Sequence, residues 1–137
     1  PVVSRVGRFE HWPMILVDLH TAEGVTGRSY IEPYLAHAAR YIAPAIRDLA
    51  AARAGSLVRP LEDFQNARRS LNLVGYEGIA MIAISALDMA EWDALARAAG
   101  VPLAVLLGGS TGPVRAYNSN GLWLNDAAGL GDEAAEL

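Results

Sequence analysis

Several things are missing from this chain, and each absence removes a class of chemistry. It has no cysteine, which excludes disulfides, thiolate metal sites and a cysteine nucleophile, and which fits a reducing compartment. All eleven basic residues are arginine, since no lysine occurs. Schiff-base catalysis, a lysine general base and a phosphate-binding P-loop are therefore out of reach of these residues. The arginines are scattered from Arg5 to Arg115 on a chain of net charge −4, so no phosphate-tracking surface is indicated and nucleic acid is not an expected partner. The longest mostly apolar run, Ile79 to Leu87, is about half of what a bilayer-spanning helix needs. No basic-then-apolar leader opens the sequence, so no membrane partner and a cytoplasmic setting are expected.

What is present is ordinary for a globular domain: 137 residues, 53% hydrophobic and 19% charged, with thirteen glycines and seven prolines spread as punctuation rather than as repeats. The stretch that organises the rest is Gly75 to Gly109. From Gly78 to Ala99 no proline or internal glycine interrupts, and Ile79, Ile82, Ala83, Ala86, Ala90 and Asp93 recur at three- and four-residue spacing, which predicts an α-helix. Apolar residues fill its other faces as far as Met89, so its first half should be buried nearly all round. Gly100 supplies the left-handed residue past its end, and Pro102 opens a short further turn through Leu107 that Gly108-Gly109 stops.

Upstream, residues 1–13 show no period and read as a loop bounded by Pro13. Residues 14–20, MILVDLH, and 25–31 predict a β-hairpin around the turn Thr21-Ala22-Glu23-Gly24, and a third strand or a helix must cover it. Residues 35–54 predict a helix with Leu35, Ala38, Ala39, Ile42, Ile46 and Leu49 on one face, kinked or divided near Arg40 by Pro44. Pro60 opens another helix through Ser70. Downstream, residues 113–124 read as a strand running into a polar loop, 126–131 as a linker and 132–137 as the start of a helix. A hairpin followed by helices is an α+β unit.

Three acids on the central helix, Asp88, Glu91 and Asp93, form the one tempting cluster. At about 100° per residue Asp88 and Asp93 point roughly 140° apart, so they do not converge on a metal, and hydrogen-bonded structural roles are expected. Trp92 reads as a core plug or an interdomain contact. His11, His20 and His37 show no ligand spacing, and solvated or capping roles are expected for them.

The order A-I-S-A-L-D-M-A-E-W-D-A-L at 83–95, then G-V-P-L-A-V-L-L-G-G at 100–109, resembles the mandelate racemase branch of the enolase superfamily, where its N-terminal capping domain hands over to the barrel. The resemblance extends to P-M-I-L-V-D-L at 13–19, G-V-T-G-R-S-Y at 24–30, L-V-G-Y-E-G at 73–78 and A-Y-N-S-N at 116–120. It implies a capping domain over 1–112, with a meander whose first strand precedes Pro1, and the first strand of a truncated (β/α)8 barrel over 113–137. It also implies an enzyme that abstracts the proton α to a carboxylate with the help of Mg²⁺, as a racemase or an acid-sugar dehydratase. The base and the metal ligands of the family come from later barrel strands, so none is expected here, and this stretch alone is expected to be inactive.

By resemblance, Ser119 matches a serine that helps hold the substrate carboxylate, while Asn120 stands where mandelate racemase has histidine. Val2, Val6, Phe9 and Tyr34 match the capping residues that close over the barrel mouth and set specificity. Phe9 replaces a smaller side chain, which implies a reshaped pocket. The expected partners are a small carboxylate, a 2-hydroxy acid or an acid sugar, and further copies of the chain in a homo-oligomer. The competing reading is a non-catalytic α+β module whose helix 78–99 docks a partner helix or a second copy. The mass of the intact polypeptide separates the two.

Overall fold

A computed structural model describes residues 2–4, 7–117 and 127–136. The chain divides into two compact units, residues 12–111 and a second unit of 1–11 with 112–137. The larger unit is a β-hairpin packed on helices. In it, β3 (Ile15–His20) and β4 (Thr26–Ile31) pair antiparallel, with Ile15 opposite Ile31 and His20 opposite Thr26. Their turn closes through Thr21 N–H to Val25 O at 2.9 Å and Gly24 N–H to Thr21 O at 3.1 Å, with Gly24 at φ +84°. His20 Nδ1 sits 3.1 Å from Thr26 Oγ1 at the hairpin end, a local structural role.

A single 3₁₀ turn (Ala36–Ala38) leads into α1 (Ala39–Ala51), followed by α2 (Pro60–Ser70), α3 (Ile79–Ala99) and the four-residue α4 (Leu103–Leu106). Pro44 does not divide α1, which continues through it. Its ring lies on the solvent side while Ile42 and Ile46 are buried beneath, so core packing offsets the lost helix hydrogen bond. Pro60 takes the first helical position of α2, where its missing N–H has no partner to lose. Gly100, at φ +67°, ends α3 with its N–H on Arg97 O and the Val101 N–H on Ala96 O, a Schellman closure.

The core joins Ile42 and Ile46 of α1 to Ala83, Ala86 and Leu87 of α3, with Ile15, Val17 and Ile31 of the hairpin packed against them. α3 is not buried all round: Ile79 and Met89 are each more than two-fifths exposed. Where the hairpin lies almost on the helix backbone the buried residues are small, Ala86, Ala90 and Ala94, while Ile84, Leu87 and Glu91 are buried beside them. Gly27 of β4 marks the contact. A Cβ built there would stand 2.0 Å from the Ala90 carbonyl oxygen and 2.7 Å from Ala94 Cβ. Only glycine permits so close an approach.

In the smaller unit, β1 (Val2–Ser4) and β2 (Gly7–Phe9) form an antiparallel hairpin with Val2 opposite Phe9, where the sequence reads as a loop. Three-residue strands are too short to show a period in the sequence. The helix α5 (Ala127–Glu136) begins within the stretch read as a linker, and runs through Gly129 and Gly131. Each glycine costs about 1 kcal/mol in a helix interior, which is why the sequence signal there is weak. Residues 113–117 of the expected strand have no regular structure, having no paired neighbour among the described residues, and 118–124 lie outside them.

Gly27→Ala should cost about 3 kcal/mol or more, the upper end for forcing extra volume into a close-packed contact, because the obstructing atom is backbone and cannot rotate away. Urea melts of the two proteins check this, and a loss below about 1 kcal/mol would show that β4 moves off α3 at small cost.

Candidate functional site

Two places in the larger unit gather polar side chains. The first is an open cleft of about 520 Å³ between the end of β4 and the start of α3, with Tyr30, Glu32 and Tyr34 on one side and Glu77, Met81 and Ser85 on the other. Its rim is built by a strained turn. The Leu35 N–H donates to Pro33 O at 2.6 Å, closing a three-residue turn around Tyr34, which sits at φ +59°. The positive-φ form of this turn is the rare one, and an aromatic residue gains nothing locally from adopting it. The surroundings hold it: Pro33 is buried, and the Trp12 ring meets the Tyr34 ring edge-on at a centroid distance of 5.9 Å. The Trp12 indole N–H also donates to Glu32 Oε2 at 2.9 Å. Tyr34 is left 64% exposed where it lines the cleft. A strained residue whose side chain stays accessible marks this turn as the candidate contact point of the cleft.

The second place is buried. Arg53, just past α1, reaches Asp63 of α2 at 2.5 Å and also pairs with Glu91 of α3, so one guanidinium ties three helices together. Asp63 additionally accepts the Arg59 N–H at 2.7 Å. Asp88 and Glu91 flank the same small void, which has room for about one water. Burial pushes the Glu91 carboxyl above the ordinary carboxylate range, against the hydrogen bond and charge of Arg53. Burial likewise raises Asp88, opposed by a hydrogen bond from Trp92. Trp92 itself is half-buried rather than a full core plug.

Asp93 points elsewhere. Burial favours its neutral form, but hydrogen bonds from Arg97 Nε at 2.5 Å and the Arg28 N–H at 2.7 Å, with both guanidinium charges, hold it below the ordinary range. Its role is to cap the β4 backbone. Among the described residues no three of His, Asp and Glu converge as a metal set. The acids of α3 are thus engaged with Arg53, Trp92, Arg97 and the backbone of β4.

Of the site residues expected from sequence, Tyr34 lines the cleft. Val2 and Phe9 are backbone register partners on the β1–β2 hairpin of the other unit. Val6 and Ser119 lie outside the described residues. Sequence reasoning missed Trp12, Glu32 and Glu77 at the cleft and the Arg53–Asp63 pair. None of these carries a spacing signal, since each comes from a different element and only the fold brings it to its partners.

A model of the mandelate racemase / muconate lactonizing enzyme N-terminal domain matches residues 1–108, and the chain belongs to that family, within the enolase superfamily. An enolase from alpha proteobacterium bal199, crystallised with bound magnesium, superposes on all of this chain with a TM-score of 0.94 at 52% identity. One from Bradyrhizobium, in complex with magnesium and mandelic acid, matches 85% of the chain at 36% identity with a TM-score of 0.80. L-talarate/galactarate dehydratase of Salmonella typhimurium is 48% identical over 52 residues, or 38% of this chain. D-galactonate dehydratase of Xanthomonas campestris pv. campestris is 32% identical over 95 residues, or 69% of it. The chain covers 13% and 24% of the length of those two dehydratases, and 38% and 32% of the two crystallised enolases. No helix among the described residues is long and apolar enough to cross a membrane.

The raised carboxyls give a pH prediction. Asp88 holds its proton to higher pH in the folded state than in the unfolded one, so the stability tied to it falls as pH rises from the unfolded carboxylate range toward its folded value. Asn cannot ionise, so Asp88→Asn should compare more favourably with the parent at pH 7 than at pH 4. Urea melts at both values test this, and an equal or reversed difference would contradict it.

Proposed function

We propose that this chain is the specificity-setting portion of a Mg²⁺-dependent enzyme that abstracts the α-proton of a carboxylate substrate, as a racemase or an acid-sugar dehydratase. The observation that carries the reading is Tyr34, held at positive φ and exposed where it lines an open cleft, at a position expected to contact substrate. Relatives that act on galactarate and D-galactonate, and crystallised neighbours with magnesium and mandelic acid, support the substrate class and the metal.

In this reading Tyr34, Val2, Val6 and Phe9 close over the acid, and the Ser119 hydroxyl donates to its carboxylate. Residues 1–112 act as the cap, and 113–137 begin the barrel. Asp63 and the acids of α3 are engaged with Arg53, Trp92, Arg97 and the β4 backbone, and among the described residues no three of His, Asp and Glu converge, so we assign the metal ligands and the base to protein outside this stretch. When bound, Mg²⁺ supplies stabilisation of the charge that builds on the carboxylate as the α-proton leaves. A cytoplasmic homo-oligomer is the setting we assign to the whole enzyme.

The test is exchange of the substrate α-proton in D₂O, followed by NMR on the complete protein with a panel of acid sugars and mandelate. Deuterium should enter with Mg²⁺ and stop with EDTA, whereas the 137-residue stretch alone should give none. Exchange that persists in EDTA, or absence of exchange with every acid, would contradict the proposal.

In the complete protein, Ser119→Ala should lower kcat/KM by roughly 10² to 10³, the usual loss for one donor aimed at transition-state charge. Its thermal midpoint should stay near that of the parent. A large midpoint shift with kcat/KM within about twofold of the parent would make Ser119 a turn residue instead.

A further inference from the structure

The cleft carries information about charge that Tyr34 alone does not. Two acids, Glu32 and Glu77, line it together with the polar groups of Tyr30, Tyr34 and Ser85, and among the described residues lining it none is basic. A ligand rich in hydroxyls finds acceptors there, while a second carboxylate finds like charge and no counter-charge. Glu32 is also the acid whose position is fixed. Trp12 donates its indole N–H to Glu32 Oε2 at 2.9 Å and sets its ring edge-on to Tyr34 at 5.9 Å. One side chain therefore touches both the carboxylate and the strained tyrosine, which are two residues apart in sequence.

We propose that Glu32, held by Trp12, is a specificity-determining residue that admits a polyhydroxy monocarboxylic acid and rejects the corresponding dicarboxylic acid. Trp12 acts as a positioning residue. The inference rests on the reading of this cleft as a substrate site. Glu32 accepts hydroxyl hydrogen bonds from the end of the substrate remote from the reacting carboxylate, and its charge repels a terminal carboxylate at that end. An aryl acid gains nothing from it.

The experiment uses the complete protein with Mg²⁺ and measures kcat/KM on six-carbon aldonates, the matching aldarates and mandelate. The parent should prefer an aldonate over its aldarate by about tenfold or more, the size of a like-charge contact at a partly exposed site. Glu32→Gln keeps an acceptor but removes the charge, and should narrow that ratio about tenfold by raising turnover of the aldarate. Trp12→Phe keeps a ring against Tyr34 but removes the N–H. It should narrow the ratio in the same direction with an unchanged thermal midpoint, and combining it with Glu32→Gln should add nothing further.

Tyr34→Ala separates the two ideas, because it should lower kcat/KM on every acid alike. If Tyr34→Ala has that effect while Glu32→Gln leaves the ratio within twofold, the role of Glu32 is overturned and the substrate site stands. If Tyr34→Ala changes nothing, the reading of the cleft as a substrate site falls. A ratio that moves with Glu32→Gln but not with Trp12→Phe removes the positioning role of Trp12. A parent enzyme that prefers aldarates, or turns over none of these acids, overturns the proposal outright.

Discussion

The near-contact of Gly27 with the backbone of α3 fixes the larger unit. Where a side chain would normally stand between strand and helix there is only hydrogen, and the helix answers with Ala86, Ala90 and Ala94 rather than larger residues. At this separation polar groups reach across as well. The Ser29 hydroxyl donates to the Ala86 carbonyl at 2.6 Å, and the Arg28 N–H donates to Asp93 at 2.7 Å, so β4 is held by hydrogen bonds as well as by packing. A two-stranded sheet is marginal alone, and this attachment supplies what it lacks. The position of the cleft follows, because its two walls are the end of β4 and the first turns of α3.

The Arg53 network works on the side of α3 that meets α2. One guanidinium serving Asp63 and Glu91 does not need to add net stability to matter, since buried ion pairs roughly break even against apolar replacements. Its effect is on register. A slide of α2 against α3 would part Asp63 or Glu91 from Arg53 and leave a buried carboxylate unpaired. Arg68, with its guanidinium 4.4 Å from the Tyr76 ring centroid and bonded to its hydroxyl at 2.8 Å, similarly ties the end of α2 to the loop before α3. That loop carries Glu77 to the cleft.

Much of this architecture is readable from residue order. The 3.6-residue period of 79–99, Gly100 after it, Pro60 at a helix start and Gly24 in the hairpin turn are local signals, and each appears where its backbone preference puts it. Less was legible where pairing, rather than propensity, decides. The β1–β2 hairpin is too short to show alternation, α5 carries two glycines that oppose it, and Pro44 is overridden by the packing of Ile42 and Ile46. In the candidate site, Tyr34 could be named from family resemblance, but the positive φ that makes it informative could not. Trp12, Glu32 and Glu77 had no signature, because their meaning lies in distances between β4, α3 and the residues before β3. The same holds for Arg53, which looks like any loop arginine until it is seen beneath three helices.

The central claim is that the turn at Pro33–Tyr34–Leu35 is a substrate-facing device whose strain is maintained by its neighbours. The most direct measurement is a crystal structure of the complete protein with Mg²⁺ and a non-reacting hydroxy acid bound. The account predicts Tyr34 still at positive φ, with its ring in van der Waals contact with the acid and Trp12 still bonded to Glu32. A bound acid lying well away from Tyr34, or a Tyr34 relaxed to negative φ without loss of the ligand, would contradict it.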